Sequence, residues 1–160
     1  MSTLTDALLE SWTRQATIVS NLANLIDETS FNFVPAPNES SIGWHLSHIS
    51  QVRTYWLSQV APGSIDPSVN WGEVKNLSEA KEWLDRTAGQ IADAMKELLN
   101  GDGAPSGGYD HPVYFLQHMI WHEGWHVGAI MMALRQNGQE TPEEWEEPNI
   151  WGLWRTEIWE

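Results

Sequence analysis

Pro112-Val-Tyr-Phe-Leu-Gln-His118-Met-Ile-Trp-His122-Glu123-Gly-Trp-His126-Val-Gly-Ala-Ile-Met-Met-Ala-Leu-Arg135 decides the reading of this chain. Pro112 suits a first helical position, where a backbone N–H has no helical partner to lose. Between Pro112 and Arg135 the only formal charge is Glu123. A helix apolar nearly all round is central and buried, which makes each polar residue on it expensive and therefore informative.

Three further helices are expected around this one. Leu4, Leu8, Trp12, Gln15, Val19, Leu22 and Ile26 recur every three or four residues, the period of one buried helical face. Pro35 and Pro37 lie in the stretch that ends that helix. A second helix starts at Ser40 or Ser41, whose hydroxyl can cap it, and runs through Ile42, Leu46, Ile49, Arg53 and Trp56. A third opens at Asn76-Leu77-Ser78-Glu79, carries Ala80, Leu84, Ala88, Ile91, Met95 and Leu98, and stops at Gly101. The second and third helices are separated by roughly twenty residues around Pro62 to Asn76, long enough to cross a bundle and bring the third helix in parallel to the second. No repeat and no alternating strand pattern interrupts this all-α reading, so residues 1–160 are expected to form one helical-bundle domain with a short C-terminal extension. That extension is acidic at Glu140, Glu143, Glu144, Glu146 and Glu147. It also holds Trp145, Trp151, Trp154 and Trp159, so it should pack back on the bundle or on a second subunit.

Composition narrows the function. A net charge of −14, from 22 Asp and Glu against 8 Lys and Arg, repels phosphate backbones and anionic lipid. No nucleic-acid or membrane-surface role is therefore expected. The absence of Cys excludes thiolate metal sites and a cysteine nucleophile, so a metal here must use His, Asp or Glu. The first residues carry Asp6 and Glu10 and no basic run, unlike a signal peptide, and no apolar run is long enough for a membrane span; the expected location is cytoplasmic.

All six His fall between positions 45 and 126. His118, His122 and His126 are four apart and stack on one helical face. Two imidazoles at i and i+4 can approach one ion together, because their Cβ atoms sit only about 6 Å apart. Left uncoordinated on so apolar a helix, each would need its own hydrogen-bond partner. The second helix adds His45 and His48. One inward His there completes a three-nitrogen face with open positions, so His48, His122 and His126 are the expected ligands of a divalent transition metal. His45 and His118 are expected to be residues of the pocket, and His111, in a loop, to have no role.

His122-Glu123-Gly124-Trp125-His126 also fits the H-E-x-x-H pattern of zinc peptidases, with Glu123 as general base. The extended form of that pattern fails, because Ala129 and Met132 stand where Gly and His are required.

Taken together, Ser41-Ile42-Gly43-Trp44-His45-Leu46-Ser47-His48-Ile49 and His122-Glu123-Gly124-Trp125-His126-Val127-Gly128-Ala129-Ile130 resemble the two histidine signatures of the DinB/YfiT-like superfamily. Trp151-Gly152-Leu153-Trp154 is a further point of likeness. The resemblance implies an up-down-down-up four-helix bundle, often a homodimer, binding nickel, zinc or iron through His48, His122 and His126. It implies metal-dependent hydrolases or transferases and isomerases using a low-molecular-weight thiol such as mycothiol or bacillithiol. The chain departs from the pattern at Ala129, usually Gln, and at His45, usually apolar.

The expected function is thus a metalloenzyme acting on a small molecule, by hydrolysis or by thiol transfer, with Glu123 or His45 handling protons. Anionic thiols need cationic contacts, and Arg53, five residues beyond His48, is the candidate near the pocket. The alternative is a non-catalytic metal- or ligand-binding dimerisation module, which would be expected to close a structural site with four protein ligands.

Overall fold

The computed structural model describes residues 3–65, 74–101 and 107–155. Among them the chain is all-helical, with no strand: α1 (Leu4–Leu25), α2 (Ile42–Val60), α3 (Leu77–Asn100), α4 (Pro112–Gln136) and a short α5 (Glu143–Glu146). The helix ends follow local chemistry. Thr3 accepts from the Asp6 amide (3.1 Å) while Asp6 accepts from the Thr3 amide (2.8 Å), a reciprocal cap for α1. Ser41 rather than Ser40 caps α2, and Asn76 caps α3 through the Glu79 amide. His111 corrects the sequence reading: its ring Nδ1 accepts from the Val113 amide (3.2 Å), so it caps α4. Gly138, at φ 77°, takes the left-handed conformation that lets the chain reverse after α4.

α1 packs on α3 and α4, and α2 packs on α3 and α4. Their apolar faces form two separate buried clusters. One contains Ile18, Val19, Leu22, Ile42, Leu46, Ile49, Leu84, Ile130 and Leu134. The other contains Trp12, Leu57, Val60, Ile91, Met95, Phe115, Leu116 and Met119. Leu4, placed in the buried stripe by its spacing, is 77% exposed, because α1 begins beyond the edge of the core.

Every long helix also buries polar side chains, among them Gln15 of α1, Arg53 of α2, Thr87 of α3 and Glu123 of α4. Arg53 links the helices. Its Nε donates to Glu123 Oε1 (2.6 Å) and one terminal nitrogen to Oε2 (2.9 Å), a two-pronged ion pair between α2 and α4. The other terminal nitrogen donates to the Leu84 carbonyl of α3 (2.7 Å), and the guanidinium lies 5.0 Å from the centre of the Trp12 ring on α1. One side chain therefore touches all three neighbouring long helices.

After α4, α5 leads into a π-helical turn (Glu147–Trp151) and a 3-10 turn (Gly152–Trp154). This segment returns to α1. Arg14 donates to the Leu153 carbonyl (2.7 Å), Asn21 donates to the Asn149 carbonyl (3.1 Å), and Ile150 is buried in the first cluster. Trp145 packs there too, whereas Trp151 and Trp154 stay exposed. Residues 66–73 of the second connection, 102–106 of the third and Trp159 of the tail lie outside the described residues. Among the described residues no helix is long and apolar enough to cross a membrane.

Removing one partner of a buried ion pair strands the other charge, so Arg53→Met should cost roughly 3–5 kcal/mol in urea unfolding. Arg53→Met combined with Glu123→Leu should cost clearly less than Arg53→Met alone. Equal losses would mean that the pair is not what holds these helices together.

Candidate metal centre

α2 and α4 lie side by side, and their facing turns bring His48, His122 and His126 together. One ring nitrogen from each lies within 4.8 Å of the others, so the three histidines could hold a metal ion. Nε2 of His122 and Nε2 of His126 are 3.1 Å apart. A tetrahedral zinc with bonds of about 2.0–2.1 Å needs its ligand nitrogens about 3.3 Å apart, so this pair is close to that spacing, with His48 the third donor of the group. His126 is buried, and His48 and His122 are half-buried, which leaves the group reachable from solvent. The donor set therefore fits a divalent transition metal.

Electrostatics favour the same use. Burial lowers the His126 ring to about 3 and the His122 ring to about 4, with the surrounding imidazoles adding to both shifts. Burial likewise lowers His48 and His45 from their ordinary value. At neutral pH His122 and His126 are thus uncharged, with lone pairs free for a cation.

His45 lies behind the trio rather than within it. Its Nδ1 is 2.8 Å from Nδ1 of His126. If His126 offers its Nε2 lone pair to a cation, its proton sits on Nδ1 and is donated to His45, whose own proton then sits on Nε2. With an ion bound, His45 would thereby fix the tautomer and tilt of the His126 ring. Trp44 stacks on His48 with ring centres 4.6 Å apart and planes 11° from parallel, holding the third ring.

Glu123 goes elsewhere. It is fully buried and both of its oxygens accept from Arg53, one helical position away from His122 and on the inner side of α4. Successive helical residues point about 100° apart, so a residue adjacent to a ligand in sequence faces a different neighbour. Arg53 is likewise bound on its Nε and both terminal nitrogens, a correction to its expected use as a cation for an anionic cofactor. His118 continues the α4 face, but its Nδ1 pairs with the Tyr109 hydroxyl at 2.6 Å. Burial pushes that hydroxyl up to about 12, so it keeps its proton at neutral pH. Sequence reasoning missed Tyr109, which lies in a Gly- and Pro-containing loop with no periodicity to signal it.

Lowered histidine values have a measurable consequence for the metal-free protein. Unfolded imidazoles bind protons below about 6.5, whereas His122 and His126 stay neutral in the folded state until about 4 and about 3. The unfolded state therefore binds more protons throughout that window. Stability should fall as pH drops from 6.5 toward 4, and His126→Gln should flatten the slope of Tm against pH. A wild-type Tm that stays level across that range would contradict the assignment of neutral, buried rings.

Neither the search of curated proteins nor that of solved structures returned a match. The family model for the DinB family matches residues 1–149, which span all four long helices and both histidine segments. The chain belongs to the DinB family.

Proposed function

We propose that this chain is a metal-dependent hydrolase acting on a small molecule without negative charge, with nickel, zinc or iron held by His48, His122 and His126. The observation that carries the proposal is the convergence of three neutral imidazoles at a solvent-reachable point between α2 and α4. A divalent ion there supplies Lewis acidity, lowering the pKa of a water or thiol and polarising a carbonyl. The chain's own residues do the rest. His126 and His122 present lone pairs from a rigid helix, and His45 holds the proton on His126 Nδ1. Glu123 is committed to Arg53 and so is not free to act as a base, and His45 serves as the support of the His126 ring. Glu123 and Arg53 hold α2 and α4 in register, so the nitrogens stay at a common point.

Two observations weigh against the competing readings. Thiol transfer with an anionic cofactor needs a free cation at the pocket, and the nearest one, Arg53, is committed to Glu123. A purely structural site would be built from four protein ligands, and three gather here among the described residues.

The order in which each helix meets the two apolar clusters supports an up-down-down-up bundle. α1 and α4 run from the cluster of Trp12 and Met119 to that of Leu22 and Ile130, while α2 and α3 run the opposite way. The same packing supports reading the chain as one domain with a short C-terminal extension. The exposed Trp151 and Trp154 favour a homodimer.

Elemental analysis of protein made without a histidine tag should find about one transition-metal ion per chain, and His122→Ala should lose it. A screen of neutral esters and amides should then give turnover that disappears with a chelator and returns on adding metal. Stoichiometric metal retained in His122→Ala would refute the ligand assignment.

A further inference from the structure

The rim of the site is aromatic. Trp44, 39% exposed, stacks on His48 and reaches His45 and His126 with ring centres 5.2 and 6.0 Å apart. From the other helix Trp125, 60% exposed, touches the same two rings at 5.8 and 4.8 Å. Trp121, 72% exposed, stands one turn before Trp125 on α4. Large indoles are costly to leave in water, and these two meet at the one buried His45–His126 pair. Trp44 also walls a cleft of about 240 Å³ with Phe31, Ser41, Ser47 and Val74, none of them charged.

Charge selects in the same direction. Only two of the 8 Lys and Arg lie on α2 or α4. Arg53 is enclosed by Glu123 and Leu84, and Arg135, nine residues past His126, pairs with Glu140. At 1.5 Å per residue, Arg135 stands about 13 Å along the helix from the ligand. A net charge of −14 adds a field that disfavours anions and favours cations. Indole faces attract apolar rings and cations alike.

We propose that Trp44 and Trp125 form a substrate-gripping rim that selects a flat aromatic molecule without negative charge, and binds it more tightly when it carries a cationic group. This rests on the hydrolase reading only in placing the reacting end of the substrate at the three histidines; the grip itself belongs to the indoles.

Three probes with one ring and three charges test it: benzyltrimethylammonium, benzyl alcohol and benzenesulfonate. Each is titrated into zinc-loaded and metal-free full-length protein while the indole N–H signals are followed by nitrogen-15 NMR. Trp44→Phe and Trp125→Phe assign the two signals. The cation and the alcohol should shift both signals, and the sulfonate should bind at least about fivefold more weakly than the cation. Trp44→Leu and Trp125→Leu should each weaken cation binding to the metal-free protein by about fivefold. The proposal is overturned if the sulfonate binds as tightly as the cation. It is equally overturned if the metal-free double Leu variant binds all three probes like metal-free wild type. Wild-type protein that takes up no zinc while its indoles still discriminate among the probes would sink the metal reading and uphold the rim.

Discussion

The Arg53–Glu123 pair is the constraint around which the rest of the molecule is arranged. Taking two charges out of water costs several kcal/mol per ion, and mutual attraction offsets this only with good geometry and full hydrogen bonding. Arg53 has both: two prongs to the carboxylate, the Leu84 carbonyl, and the face of Trp12. The geometry is demanding, because the pair cannot form unless α2 and α4 sit at one height and one rotation. An apolar core tolerates a slipped or rotated helix more easily than a fixed bidentate contact does. The pair thus acts as a pin at the level where the core divides in two.

The same pin sets the phase of the histidines. Glu123 points inward, so His122, one residue before it, and His126, three residues after it, are turned toward the groove beside α2. Arg53 points inward on α2, and His48, five residues earlier, faces that groove as well. What gathers there is chemically unusual for so acidic a protein. Four imidazoles crowd together, with no carboxylate in the group among the described residues, and burial keeps the two on α4 uncharged at neutral pH. Neutral imidazoles add no charge of their own, so a bound divalent ion would keep its full charge for chemistry. His45 adds an orienting contact where an apolar residue could only fill space.

Much of this was legible in the sequence, for reasons tied to particular residues. The long helices were readable because buried faces recur at helical spacing and because Ser41, Asn76 and Gly101 are chemically suited to helix ends. His122 and His126 stood out because i and i+4 side chains share a face whatever the tertiary structure. The partner of Glu123 was not legible. Its position inside an H-E-x-x-H string invites a role in the metal site, but which way it points depends on Arg53, 70 residues away, and no local rule encodes that contact. The Tyr109–His118 bond was hidden for the same reason, and so were the particular contacts on α1 through which the expected return of the tail is made, since both are tertiary contacts of irregular backbone.

The account stands or falls on three imidazole nitrogens meeting at one ion. X-ray absorption spectroscopy of the zinc-loaded, untagged protein measures this most directly. Three imidazole nitrogens at about 2.0–2.1 Å, with the remaining coordination supplied by exchangeable oxygen donors, is the predicted result. A shell with fewer than three imidazoles, or one closed by a fourth protein side chain, would contradict it.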